Sequence, residues 1–317
     1  MKVIDFHCDT MLRIMDSGEG AELKANDFQV DIGKLKQGKV LAQFFALFFD
    51  LKVVSRKKKS PFDHTMEMLQ RFEEELKKNP GDIALAKGSK DLLKNEGKGK
   101  ISAFLTIEEG EAIEGSLDKL SAFHQRGVRL ITLTWNHENQ IGFPNIHYQN
   151  RDRGLKPFGK EVIEAMNHLG MLIDVSHLSD GGFWDVAEGS KQPFIASHSN
   201  ARTVKTHPRN LSDEMLRALG NGGGVTGLNF AHYFLSDDPI SKIEAMLKHM
   251  RHIINVAGIE ALVLGSDFDG ISSTLEIQDM GEIQGLIAAM EKEGFSSKEI
   301  EYITHKNGRR MIHEVLG

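Results

Sequence analysis

The residues able to do chemistry in this chain recur where apolar runs end. The opening stretch VIDFHCDT (3–10) sets His7, Cys8 and Asp9 side by side after such a run. ISAFLTIEEG (101–110) leads to Glu108 and Glu109, MLIDVSHL (171–178) to His177, and PFIASHS (193–199) to His198. GGVTGLNF (223–230) carries Asn229, and ALVLGSDFDG (261–270) carries Asp267 and Asp269. In a strand covered on both faces, an imidazole or carboxylate is costly unless it is paired or bound to a metal. Nitrogen and oxygen donors without thiolates suit zinc, manganese, iron or cobalt at a hydrolytic centre. A carboxylate such as Glu108 can bridge two ions, which two-metal hydrolytic sites hold ~3.5–4 Å apart. One such His alone is more often a hydrogen-bonded core residue. Five such groups at equivalent run ends point instead to a metal centre.

Side chains alternate along a strand, so His7 and Asp9 point one way and Cys8 the other. His-x-Asp is then a two-ligand unit. Cys8 packs as a small hydrophobe, which is a better reading than a nucleophilic Cys-His pair.

Eight runs must position these groups: 2–9, 40–50, 101–110, 128–135, 171–178, 193–199, 223–230 and 261–270. Near-continuous apolar runs of this length suit strands of a parallel sheet with both faces covered. Between them lie helical patterns. In 63–79, Met66, Leu69, Phe72 and Leu76 recur at spacings of three and four. The segment 157–170 opens on Pro and closes on Gly, and 241–258 and 280–294 read as further helices. This predicts an α/β fold, a (β/α)8 barrel, with a doubly wound open sheet as the alternative. In either, the C-terminal ends of the strands carry the active site. No linker divides the chain, so residues 1–317 read as one barrel domain with a C-terminal helical extension.

The net charge of −6 speaks against nucleic acid as a partner, and Arg56–Lys59 reads as a solvated loop. One cysteine excludes an internal disulfide framework and suits a reducing compartment. No apolar stretch reaches the ~18 residues that span a bilayer, which predicts no membrane partner. The first residues already read as a strand, which predicts no targeting peptide and a cytoplasmic location. Gly222–Gly224 lacks the spacing of a phosphate-binding loop and reads as a helix stop. His64, His168, His249, His252, His305 and His313 fall on helical segments, as surface or core residues.

Several longer stretches occur in a fixed order: DFHCD (5–9), IEEG (107–110), LITLTWNHEN (130–139), GLKPFGKEVIEAMNHLGMLIDVSHLS (154–179), PFIASHSNAR (193–202), RNLSDEMLRAL (209–219), VLGSDFDG (263–270) and NGRRMIHEV (307–315). Together they resemble the membrane (renal) dipeptidase family of zinc dipeptidases, in particular its soluble bacterial members. The resemblance implies a TIM-like barrel of the metal-dependent amidohydrolase type with two zinc ions per chain. His7 and Asp9 would hold one ion, Glu108 would bridge both, and His177 and His198 would complete the second. Asp267 would move the proton of the attacking water and leaving amine, and Arg209 would grip the carboxylate of a small dipeptide. His137, Asn229 and Tyr233 would contact substrate. The implied reaction is hydrolysis of free dipeptides, L-L and also L-D, by metal-bound hydroxide, in a chain that pairs as a homodimer.

Two departures from the family pattern bear on the substrate. Mammalian relatives carry a substrate-binding His directly after LT, where this chain has Trp135, so His137 serves only if the loop shifts. The family's Gly-Gly after the bridging Glu is here Glu109-Gly110, which adds a carboxylate near the mouth. That carboxylate would repel acidic side chains or bind a substrate ammonium. Three alternatives to a dipeptidase are a metallohydrolase of another amide, lactam or N-acyl amino acid, a mononuclear deaminase-like barrel and a non-catalytic binding protein. Strand one opens with His-x-Asp rather than His-x-His, which disfavours the deaminase.

Overall fold

The eight apolar runs become eight parallel strands that close on themselves. They are β1 (Val3–Cys8), β2 (Val40–Phe48), β3 (Ile101–Glu108), β4 (Val128–Thr132), β5 (Leu172–Asp174), β6 (Ile195–Ala196), β7 (Val225–Leu228) and β8 (Leu262–Leu264). Asp5 pairs with Leu264 to join β1 to β8, so the sheet is a barrel and not an open sheet. The computed structural model describes residues 1–317, apart from the side chain of Glu19. A three-residue strand, Ile83–Leu85, pairs with the start of β3 below the point where β4 joins it. It is too short to leave a periodicity in the sequence.

The helices lie where their patterns place them, as Pro61–Lys78, Pro157–Leu169, Ile243–Ala257 and Ile283–Lys292. Pro157 opens its helix in the first turn, and Gly170 closes it at φ +64°, a conformation that glycine enters without steric cost. Gly222 likewise stops the helix Asp213–Asn221 ahead of β7. No helix of the described residues is long and apolar enough to cross a membrane.

Two apolar layers result. The outer one fills the space between strands and helices and includes Cys8, Phe45, Phe72, Leu105 and Phe123. The inner one fills the barrel with Ile4, Phe6, Phe44, Phe104, Leu130 and Leu172. Met311, Ile312 and Val315 of the last helix, Asn307–Leu316, join this inner layer. That helix stoppers the lower mouth. Its Asn307 Nδ2 donates to the carbonyls of Ile259 (2.7 Å) and Leu262 (2.8 Å) at the base of β8.

Simple alternation cannot place both Phe6 and His7 on the inner side of β1. A bulge does so. Asp5 pairs with Gln43 and Cys8 with Phe45, so three steps of β1 oppose two of β2. Phe6 therefore fills the barrel while His7 reaches its mouth and Cys8 enters the outer layer. Phe6 stacks on Phe44 at 4.4 Å, and Phe44 on Phe104 at 4.6 Å, giving the mouth an aromatic floor.

Strands β4 to β8 are shorter than their apolar runs. Only His7 and Glu108 of the chemical residues lie within strands; Asp9, His177, His198, Asn229 and Asp267 lie on the turns beyond. Carboxylates replace the ladder there. Asp174 accepts from the backbone N–H of Ser176 (3.0 Å) and Ser197 (2.8 Å), and Asp5 from that of Ser266 (2.8 Å).

Replacing the middle ring of the stacked floor, Phe44→Ala, is expected to cost about 3–5 kcal/mol. Chemical denaturation should show this as a lower midpoint with an unchanged slope.

Candidate metal centre

At the upper mouth, Glu108 stands between two groups of donors. Its Oε2 lies 3.1 Å from His7 Nε2, which is 3.4 Å from Asp9 Oδ2. Its Oε1 lies 2.9 Å from His177 Nε2 and 3.7 Å from His198 Nε2. Asp267 Oδ1 is 3.9 Å from His7 Nε2. His7 with Asp9 and Glu108, and Glu108 with His177 and His198, are each close enough to share an ion, and all are buried. The five ligand residues predicted from sequence thus converge, with Asp267 beside them.

Local structure explains the aim of each group. Asp9 occupies the N-cap of the helix Thr10–Asp16 yet makes no capping hydrogen bond, which leaves its carboxylate turned to His7. Gly270 packs against that carboxylate; a Cβ there would run into Asp9 Oδ2 and approach Asp267 Oδ1 to 2.7 Å. The turn after β8 re-pairs with β1 through Cys8 and Phe268, with Asp267 and Asp269 at φ +62° and +69°. Positive φ at two non-glycine residues is backbone strain of the kind found at functional sites. Asp269 serves the turn, accepting from Thr10 Oγ1 (2.6 Å) and the Gln29 N–H (2.7 Å).

Hydrogen bonds also fix the histidine tautomers. Ser197 Oγ donates to Asp174 Oδ2 at 2.6 Å, so the 2.7 Å contact from Ser197 Oγ to His198 Nδ1 makes that ring nitrogen the donor. His177 Nδ1 lies 3.1 Å from Asn136 Oδ1 and donates to it. Both rings then present an unprotonated Nε2, and the two Nε2 atoms are 3.0 Å apart. Neither nitrogen of His7 has a hydrogen-bond partner, nor does Asp9 Oδ1. Buried lone pairs facing one another without protons, among carboxylates, fit a divalent cation.

The charge balance agrees. Burial pushes the His7 imidazole down, but Glu108 and Asp9 outweigh it and hold it well above its ordinary value. Burial and Glu108 together push Asp9 up. Burial and the Arg209 guanidinium bring His177 down to about 4, and burial with His7 holds His198 well down. Burial raises Asp267 to about 6, with Glu108 adding to the rise and His7, Asn229 and Arg209 opposing it.

A cavity of about 360 Å³ opens above these groups, walled by Phe48, Trp135, Ile146, His207, Arg209 and Tyr233. Arg209 donates to the Ser176 carbonyl and, at 3.0 Å, to His177 Nε2, while its Nε is buried without a partner. Three expectations need correction. His137 faces away from the cavity: its ring lies 3.2 Å from Asp50 Oδ1 and edge-on to Trp135 at 5.5 Å. Asn229 lies outside the cavity lining and holds Asp267, donating to its Oδ2 at 2.8 Å. Glu109 is turned into the next loop, where it accepts from Asn139 Nδ2 (2.6 Å) and the Glu111 N–H (3.0 Å), so it adds no carboxylate to the mouth. Trp135 and Asn136 wall the cavity from within LTWNHEN, whereas Phe48, Ile146 and His207 carry no motif signal.

Second-layer partners of metal-bound histidines typically contribute 10–100-fold in affinity. Asp174→Asn, which disturbs the acceptor behind Ser197 and His198, is expected to weaken metal binding by about that factor. Ser197→Ala should act in the same direction. Direct metal titration of the folded variants measures both.

Comparison with known proteins follows the same lines. The family model described as membrane dipeptidase, peptidase family M19, matches residues 1–316. A Schizosaccharomyces pombe protein named as an uncharacterized dipeptidase is 32% identical over 98% of this chain and 79% of its own length. A solved metallopeptidase of Rhodobacter sphaeroides, liganded with a phosphinate mimic of the dipeptide L-Ala-D-Ala, superposes with a TM-score of 0.91. It is 25% identical, and the match covers 99% of both chains. A second solved metallopeptidase, dipeptidase AC, gives a TM-score of 0.92 at 26% identity, over 100% of this chain and 99% of its own. With the donors of a metallopeptidase at the mouth of a (β/α)8 barrel, this chain belongs to the membrane dipeptidase family, peptidase family M19, and is a metallo-dipeptidase by family.

Proposed function

We propose that the protein hydrolyses free dipeptides, L-L and L-D, at a binuclear zinc centre. The observation that carries this reading is Glu108, with one carboxylate oxygen toward His7 and the other toward His177 and His198. A donor set of imidazoles and carboxylates suits zinc. The family supports a dipeptide substrate, and the ligand of the Rhodobacter relative supports a D-residue at the second position.

Zinc held by His7 and Asp9, and by His177 and His198, with Glu108 shared, would acidify a water toward pKa ~7 and polarise the scissile carbonyl. The chain's own residues do the rest. Asp267, held by Asn229 and raised to about 6, can take a proton near neutral pH and return it to the leaving amine. Arg209 lines the cavity, and its guanidinium would pair with the terminal carboxylate of a peptide. Burial and Asp267 raise Tyr233 to about 12, so its phenol stays a donor on the same wall. A carboxylate held at Arg209 and a scissile carbonyl held at the centre around Glu108 would fix both ends of a substrate. Two such anchors would favour peptides of two residues.

The test is a panel of L-L and L-D dipeptides, one tripeptide and one N-acetylated dipeptide, offered to zinc-loaded protein. Cleavage should be confined to the free dipeptides and vanish with a chelator. Asp267→Asn should lower kcat by about 10²–10⁴-fold, the usual contribution of a positioned acid-base. Arg209→Ala should raise KM for dipeptides and erase their advantage over the tripeptide. Protein that binds two metals and cleaves none of the panel would refute the reading.

A further inference from the structure

The cavity is chemically lopsided. Arg209, His207, Tyr233 and Phe234 come from the segments after β6 and β7, whereas Phe48 ends β2 and Trp135, Asn136 and Ile146 follow β4 on the opposite arc of the barrel. Phe48 and Trp135 lie with ring centroids 4.8 Å apart, both half-buried. Trp135 is supported from behind by His137, edge-on at 5.5 Å, which is in turn held by Asp50. The Trp135 N–H bonds to Glu109 Oε2 at 3.4 Å, which ties the backbone of this wall to the buried carboxylate below. An indole and a phenyl ring partly open to water at a cavity wall, and braced from outside, form an apolar surface awaiting a partner.

We propose that Phe48, Trp135 and Ile146 form a side-chain subsite for the N-terminal residue of the dipeptide, selecting large apolar or aromatic side chains. The proposal rests on the dipeptidase reading. With the substrate carboxylate at Arg209 and the scissile carbonyl at the centre around Glu108, the residue beyond the carbonyl is the N-terminal one. Phe48, Trp135 and Ile146 offer it apolar contact, the Asn136 side-chain carbonyl between them being taken up by His177. No lysine or arginine lines that wall of the cavity among the described residues, so an acidic side chain placed there would lose its water without gaining a counterion.

The experiment measures kcat/KM on zinc-loaded protein for X-Ala dipeptides with X as Phe, Leu, Asn or Gly, and for the reversed Ala-X series. Leu and Asn are close in size, so their ratio separates apolar contact from bulk. Phe and Leu should exceed Asn and Gly by about tenfold or more, the scale on which an apolar pocket discriminates. The preference should be confined to the X-Ala series. Trp135→Ala should bring the Leu-to-Asn ratio close to one, and Phe48→Ala gives the same readout if the tryptophan variant fails to fold. A flat X-Ala series in an active enzyme, a preference that follows Ala-X instead, or an unchanged ratio in the folded variants would overturn the subsite while leaving the dipeptidase standing. Absence of any dipeptide cleavage would overturn the activity itself and the subsite with it.

Discussion

Everything at the mouth of this barrel depends on confining more electron-pair donors than protons can satisfy. His7, Asp9, Glu108, His177, His198 and Asp267 are all buried, and Arg209 is the one guanidinium among them. Two imidazole Nε2 atoms at 3.0 Å, each with its proton on the far nitrogen, repel unless a positive charge enters between the donors. Removing several charged groups from water costs more than their mutual contacts return. The arrangement therefore persists only because the surrounding barrel over-determines it, and its unmet demand is for cations. The stacked Phe6–Phe44–Phe104 floor and the helix that stoppers the lower mouth supply rigid packing without polar groups of their own in the stack.

Two carboxylates outside the donor group translate that rigidity into aim. Asp5 receives Gln43 Nε2 (2.6 Å) and the Ser266 N–H, linking β1, β2 and the turn after β8. Asp174 receives Thr132 Oγ1 (2.6 Å), Ser176 Oγ (2.6 Å) and Ser197, linking β4, β5 and β6. Strand ends held by side chains can leave the ladder early and curl inward, which regular pairing forbids. Gly227 and Gly265 complete the device, because a Cβ on either would collide with the Ser197 carbonyl next to His198.

Much of this was legible in the sequence, for reasons that can be stated. Apolar runs ending in His, Asp or Glu mark the strand ends because only there can such groups meet a ligand, and the ordered motifs named the family. The bulge in β1 left no trace, since a two-residue alternation looks the same with or without an extra residue in register. His137 and Asn229 misled for a shared reason: residue type and nearness to the site do not fix direction. The Asp50 carboxylate turns His137 outward, and the Asp267 carboxylate turns Asn229 sideways. Glu109 is subtler, for its φ of +95° throws a side chain that would have lined the mouth into a buried pocket of amide donors.

The barrel divides its labour by strand. β1, β3, β5 and β6, with the turns that follow them, supply the five donors, and the turn after β8 supplies Asp267. The end of β2 and the segments after β4 and β7 supply no member of that group but wall the cavity with Phe48, Trp135 and Tyr233. A fold that carries its chemistry on some strand ends can vary the others without moving a donor, which is how one barrel serves many substrates. The two arcs are unlike in kind. One ends in a buried guanidinium with a donor to spare; the other ends in aromatic rings with a face to spare. A short molecule with an anion at one end and an apolar group at the other, and a cleavable bond between, matches both arcs at once.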